Sequence, residues 1–402
     1  MTSCCGDLEA HLGALRQRCR EWAADLGDVS RVLQAHPEDA SPLLDHEGPR
    51  WAATAGIPEE YGAESLRVGR HRFDATTSVE RAVVMEEFAR VDPSLVIAAP
   101  GPSMSGVLVA ALADEDQRAR FYGRLLETPS WTFFALTEPG HGSDAGGLET
   151  TATLLADGEV GLSGEKCYIG NGSRATIGVV FARSAPGPLG IGAYLVEVPT
   201  AGLTARPRAT LGLRPVQISE LVLRDVRIPM ENMLGRHLPR SRRGLHASMG
   251  VFNRLRPGVA ALAVGIAAGA LDILEREQPR PGKDAGHSRA AWRAQVEAVR
   301  RLTLRAALEA DRTGDGTLAS VAKARACRLA EELTLDVADA LGPGARLAVP
   351  ELDRSLRDAR GVEFMEGTRT IQLLNVFHGL HTGRLAANRA PWTTGRGALS
   401  TR

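Results

Sequence analysis

Apolar residues recur at three- and four-residue spacing over Leu8–Leu33 and Ser78–Arg90, which predicts amphipathic helices there. Ala113–Leu126 opens on acidic residues and closes on basic and apolar ones, the charge order that suits a helix dipole. From about residue 129 the pattern changes. Short β-rich runs at Trp131–Leu136, Ile177–Ala182, Ile191–Val198 and Glu220–Leu223 are separated by Gly, Pro, Asp and Asn, which predicts a small β-barrel or sandwich and not a βαβ sheet. Helical texture returns at about residue 236, with Ala/Leu/Arg-rich segments at Leu255–Glu277, Ala290–Asp311, Ser320–Leu341 and Glu363–Asn388. Such segments suit a helix bundle, with the Pro/Gly-rich Gln278–Gly286 as a loop between the first two. The expected fold is mainly α with a central β domain: an N-terminal helical domain over 1–128, a β domain over 129–235 and a C-terminal four-helix bundle over 236–402.

Composition narrows the function. The 402 residues hold 44% hydrophobic and 24% charged side chains, a globular balance. Basic and acidic residues cancel at 48 each, whereas a nucleic-acid binder normally carries a basic excess. The cysteines, Cys4, Cys5, Cys19, Cys167 and Cys327, form no CxxC pair, so neither a disulfide framework nor a zinc site is expected, and a cytoplasmic setting is. Val259–Leu274 is too short and too rich in Gly and Ala to cross a bilayer and reads as a packed helix. Neither a GxGxxG after a strand nor a GxxxxGK[ST] occurs.

The segment Phe133–Asp144 (FFALTEPGHGSD) resembles the flavin-binding strand and loop of acyl-CoA dehydrogenases. Ile57–Gly62 (IPEEYG), Leu162–Gly172 (LSGEKCYIGNG), Leu221–Pro229 (LVLRDVRIP), Arg256-Pro257, Leu356–Arg360 (LRDAR) and Met365–Gln372 (MEGTRTIQ) follow in that family's order. The resemblance covers nearly the whole chain. It implies FAD between the β domain and the bundle, a homodimer or homotetramer whose neighbouring subunit completes the flavin site, and removal of two hydrogens from adjacent carbons of an acyl thioester. It also implies an electron-transfer flavoprotein or another acceptor.

Glu366 matches the family's base-bearing Glu-Gly-Thr, and a carboxylate in a water-poor pocket gains the basicity that a carbon acid demands. Some relatives place the base just before the arginine that opens the bundle; here that position is Leu255, which cannot act. Glu363 lies one helical turn away. A surface or capping role is the plain alternative for Glu366.

The resemblance implies flavin contacts at Phe134, Leu136, Thr137, Gly142, Ser143, Tyr168, Gly170, Arg276, Gln295, Gly342, Thr368 and Thr370. Thr137 and Ser143 are also ordinary strand-end turn residues. His141 in the same loop reads as a loop variation and not a catalytic acid. Tyr168 keeps an aromatic where the family usually has Trp, but Gly170 lacks the hydroxyl that normally reaches flavin N5. Pro279 and Arg280 replace the usual Phe-Gly after Arg276. Ser143, Phe252, Asn253, Arg256 and Gly367 are the expected substrate contacts, with Arg256 either shaping the site or forming a buried ion pair at the start of a core helix.

Arg236, Arg240, Arg242 and Arg243 precede the bundle, and the β-domain loop Ser184–Gly190 is short. Such a run is commonly a solvated face, or it meets a phosphopantetheine or an acidic acyl carrier protein, as in polyketide and related specialised pathways. Gly170 also leaves open oxidation of a hydroxyacyl or aminoacyl carrier substrate, or flavin oxidase or monooxygenase chemistry, and the altered adenine-end motif leaves open a non-catalytic scaffold.

Overall fold

Two caps start helices that the spacing predicts. The Thr77 side chain accepts from the Glu80 N–H at 3.3 Å, and Asp114 and Gln117 form a reciprocal capping box. The computed structural model describes the backbone of residues 2–278 and 283–384, with side chains at 6–278 and 289–384. Its N-terminal helices are α1 (Thr2–Ala24), α2 (Gly27–Ala35), α3 (Glu47–Thr54), α4 (Ser78–Ala89), α5 (Ser94–Ile97), α6 (Ser103–Leu112) and α7 (Glu115–Glu127). The helical spacing over Leu8–Leu33 is carried by two helices, α1 and α2, separated where Leu26 sits in the core at 1% exposure. A hairpin of β1 (Leu66–Val68) and β2 (His71–Phe73) interrupts this helical part; its strands are too short to show alternation in sequence.

Seven strands form the middle of the chain: β3 (Thr132–Ala135), β4 (Thr151–Leu154), β5 (Val160–Ile169), β6 (Ile177–Arg183), β7 (Ile191–Glu197), β8 (Leu203–Pro207) and β9 (Ser219–Ile228). They make one sheet in the order β3-β6-β4-β5-β9-β8, with β7 also on β6. β3 runs parallel to β6, and β7 antiparallel to it. β6 is buried on both faces, which explains its unbroken apolar run.

The last part holds α8 (Leu245–Glu277), α9 (Lys283–Thr313), α10 (Thr317–Leu341), α11 (Ala345–Ala348), α12 (Pro350–Phe364) and α13 (Arg369–His381). Three expectations are corrected. α8 begins at Leu245, so Arg256 and Pro257 lie inside it and not at its start. α9 starts at Lys283, which shortens the Gln278–Gly286 loop; Pro279 to Gly282 lie outside the described residues. The helix expected over Glu363–Asn388 is split between α12 and α13, and residues 385–388 lie outside the described residues. α8 is long and apolar enough to cross a membrane by composition, but 94% of its apolar window is buried inside the protein.

α4 and α8 meet at glycines. A Cβ on Gly265 would lie 2.3 Å from the Glu86 carbonyl oxygen, and one on Gly269 2.1 Å from that of Arg90. Gly269→Leu is therefore expected to force the helices apart and cost about 3 kcal/mol. Thermal unfolding checks this, and an unchanged Tm contradicts it.

The sheet docks on the bundle through β-domain loops. Leu213 N–H donates to Asp358 Oδ1 at 2.6 Å, and Arg357 donates to the Leu211 carbonyl at 2.9 Å. Asn171 ties the end of β5 to the Val216 carbonyl at 2.8 Å and to the Ile97 carbonyl at 3.0 Å.

Candidate active site

Between α12 and α13 the backbone turns through Glu366 at φ +52° and Gly367 at φ +98°. The left-handed region suits glycine and strains a residue such as glutamate. The surroundings hold it there. Gln372 Nε2 donates to the Glu366 carbonyl at 3.1 Å and to the Gly367 carbonyl at 2.9 Å. Lys323 Nζ, on α10, donates to the carbonyls of Glu363 at 2.9 Å and Gly367 at 2.7 Å. Sequence reasoning missed both residues. A signal for Lys323 was available: it interrupts the apolar face Ala319, Ala322, Ala326, Cys327 and Ala330.

The two carboxylates of this turn differ. Glu363 Oε1 accepts from the Arg369 N–H at 2.6 Å, at the start of α13. Glu366 Oε2 is buried without a hydrogen-bond partner. Burial pushes the Glu366 carboxyl up to about 7 from an ordinary 4.5, against the pull of Arg256 and then Lys323. Arg256 is 3% exposed; its guanidinium is held below its usual range by burial, with Glu366 opposing. Arg256 Nη1 reaches Asn253 Oδ1 and Ser320 Oγ, each at 3.4 Å, and its Nε has no partner. A buried carboxyl that titrates near neutrality beside a buried cation is equipped to take a proton from a neighbouring carbon acid.

On the β side, Phe134 packs against Phe181 with centroids 5.0 Å apart and against Phe252 on α8 at 6.0 Å. Leu136 is buried, Thr137 and Gly170 are half-buried, and Gly142 and Ser143 are exposed. The Thr137 carbonyl accepts from the Cys167 N–H at 2.9 Å, which joins the end of β3 to β5 beside Tyr168. The Tyr168 ring is 66% exposed on a backbone at φ +58°, with the Arg208 guanidinium 5.8 Å from its centroid. An exposed aromatic face next to a strand-end hydroxyl suits a planar, partly polar ring system such as a flavin. Two residues before Tyr168, Lys166, fully buried, donates to Glu138 at 2.8 Å and to the Leu136 carbonyl at 3.2 Å, while Glu138 accepts from the N–H groups of Glu149 and Thr150. This network ties down the loop that carries Thr137 and Ser143.

Other predicted positions stand apart in the single chain. Arg276 is exposed and paired with Glu277 at 2.9 Å. Gln295 lines a cavity of about 120 Å³ with Arg325, Arg328 and Glu332. Gly342 lines another of about 610 Å³ with Gly344 and Arg346. Neither cavity includes Glu366. Thr368 is the N-cap residue of α13, and Thr370 is exposed in its first turn. Asn253 Nδ2 donates to the Gly314 carbonyl at 3.0 Å, which ties α8 to the α9–α10 loop. Among the described residues Cys19, Cys167 and Cys327 are free and buried, and no cluster with metal-ligating composition occurs.

Residues 133–226 match the family model of the acyl-CoA dehydrogenase middle domain, and residues 242–381 match that of its C-terminal domain. The short-chain-specific acyl-CoA dehydrogenase of Megasphaera elsdenii is 30% identical over 381 residues, covering 91% of this chain and 98% of that protein. An acyl-CoA dehydrogenase of Bacillus subtilis is 30% identical over 375 residues, with 90% and 95% coverage. The solved butyryl-CoA dehydrogenase of Megasphaera elsdenii superposes with a TM-score of 0.78 at 27% identity, over 91% of this chain and 98% of that one. These matches span both the Tyr168 shelf and the Glu366 turn. The chain belongs to the acyl-CoA dehydrogenase family, FAD-dependent oxidoreductases that act on CH–CH bonds.

Proposed function

We propose that the protein removes the α-proton and the β-hydride of an acyl thioester to give the α,β-unsaturated thioester, with Glu366 as the base. The observation that carries this reading is the buried, unpartnered Glu366 Oε2 on a carboxyl raised to about 7. FAD, when bound, supplies the hydride acceptor. Tyr168 would cover one face of its ring, and Thr137 and Ser143 would donate hydrogen bonds to it. In a dimer or tetramer, Arg276, Gln295 and Gly342 would complete the site for a neighbouring subunit. Leu373, Leu374, Phe377 and Leu380 on α13, each at least half exposed, give such an assembly an apolar face. The electrons would pass to an electron-transfer flavoprotein or a similar acceptor.

The test is product formation. Anaerobic addition of straight-chain acyl-CoA thioesters should bleach the flavin absorbance and give a product two hydrogens lighter. Turnover that instead releases peroxide under air, with no unsaturated thioester, would identify an oxidase on this fold.

The carrier is a second question. Arg236, Arg240 and Arg242 are exposed, without an ion-pair partner among the described residues, and Arg240 and Arg242 lie in a short turn packed against the Pro188–Gly190 end of the Ser184–Gly190 loop. Unpaired positive charge on a rim favours an acidic acyl carrier protein, of the kind used in specialised pathways such as polyketide formation. Changing all three arginines to Glu is expected to raise KM for an acyl carrier protein thioester by about tenfold and to leave an uncharged acyl pantetheine unaffected. An unchanged KM for the carrier-bound substrate contradicts docking at this patch.

A further inference from the structure

Lys323 has no exposed surface and forms no ion pair among the described residues. A buried ammonium without a carboxylate partner is costly and needs a reason. Its two hydrogen bonds go to the carbonyls of Glu363 and Gly367, three residues before Glu366 and one after it. α10 thus grips the strained turn from both sides. A lysine near a helix C-terminus can simply satisfy free carbonyls, and Glu363 lies in the last turn of α12. The Gly367 bond lies beyond that helix, and Gln372 already donates to the same carbonyl, so carbonyl satisfaction alone does not require a charge there.

We propose that Lys323 is a positioning residue for Glu366, fixing its left-handed turn from both sides and presenting a buried cation to its carboxylate. The proposal rests on the reading of Glu366 as the base. The charged groups acting on this carboxyl are Arg256 from α8 and Lys323 from α10; Lys323 itself faces Cys327 on α10, Glu363 on α12 and Arg256 as well as Glu366, while the uncharged Gln372 of α13 meets only the Glu366 backbone carbonyl. Arg256 and Lys323 are the two cations that offset desolvation, which otherwise drives the carboxyl to its protonated form. Without Lys323 the same carboxyl stays protonated to higher pH, and the base is idle over more of the neutral range.

The experiment reads Glu366 without requiring turnover. In the FAD-loaded protein, the infrared band of the protonated carboxyl that disappears in Glu366→Gln is followed against pH. Lys323→Met is expected to raise its midpoint by about 1 pH unit. Lys323→Arg is expected to restore most of that shift. Gln372→Met removes hydrogen bonds to the same turn without removing charge, and is expected to leave the midpoint within a few tenths of a unit. Should Lys323→Met not fold, Lys323→Gln keeps the donors and loses the charge, and the same rise is expected. An unmoved midpoint in the neutral variant overturns the proposal, as does an equal rise in Gln372→Met. If no acyl thioester is oxidised while the midpoint shifts as expected, the dehydrogenation reading fails and the role of Lys323 stands.

Discussion

Replacing Glu366 by Gln is expected to lower the rate of dehydrogenation by about 10³-fold and to leave FAD bound. The amide keeps the size of the side chain but cannot take up a proton. Neither alternative position can stand in: Leu255 cannot act, and Glu363 is engaged with the start of α13. In the unaltered protein kcat/KM should rise with pH through about 7, because the deprotonated carboxylate is the working form. Stability carries the opposite sign. The carboxyl titrates at 4.5 when unfolded and at about 7 when folded, so its favourable contribution is complete below 4.5 and is lost as pH rises through 7. An amide does not ionise. Glu366→Gln should therefore match the parent Tm at pH about 4 and exceed it above about 7. A parent rate that is flat across the neutral range contradicts this assignment.

The second large effect is on the β-domain loop proposed to meet the flavin. Lys166→Met leaves Glu138 as a buried carboxylate without its cation, and the expected loss is about 3–5 kcal/mol, or roughly 10 °C in Tm. Burial pushes Lys166 down to about 8 while Glu138 opposes, and Glu138 is held below its usual range, against burial, by the Glu149 N–H and by Lys166. Because Glu138 also holds the N–H groups of Glu149 and Thr150, the loop bearing Thr137 and Ser143 should loosen and the bound FAD content should fall. Removing both charges in Glu138→Gln/Lys166→Met should recover much of the loss, since the unpaired charge dominates it. A double variant as unstable as the sum of the two singles contradicts this account.

How much of this could be read from the sequence depended on range. The alternation of helical, β and helical texture was legible because burial on one face imposes a period, and α4, α7, β6 and β7 show it. The Glu366 turn was not legible as structure. Only Gly367 punctuates Met365–Thr368 in the sequence, while the break is set by hydrogen bonds from Gln372 and from Lys323, which is 43 residues before Glu366. The start of α8 was missed because Pro257 suggests a helix beginning, whereas helix packing against α4 carries the helix through it. β4 and β8 escaped because each exposes most of its positions and shows little alternation. The chemistry of Glu366 was suggested by the Glu-Gly-Thr motif; Lys323 showed in the sequence only as a charge on an apolar face, and neither it nor Gln372 could be joined to Glu366 until α10 and α13 closed around the turn. Gln295 and Gly342 line two different cavities, and Arg276 lines neither; in the proposed assembly a second copy would complete their site.

The central claim, that Glu366 removes the α-proton, is tested most directly by hydrogen exchange at the substrate. The FAD-loaded protein and its Glu366→Gln variant are each incubated anaerobically in D₂O with an acyl thioester, and deuterium at the α-carbon is followed by NMR. The account predicts exchange by the parent protein and none above background by the variant. Equal exchange by both would show that another group takes the proton.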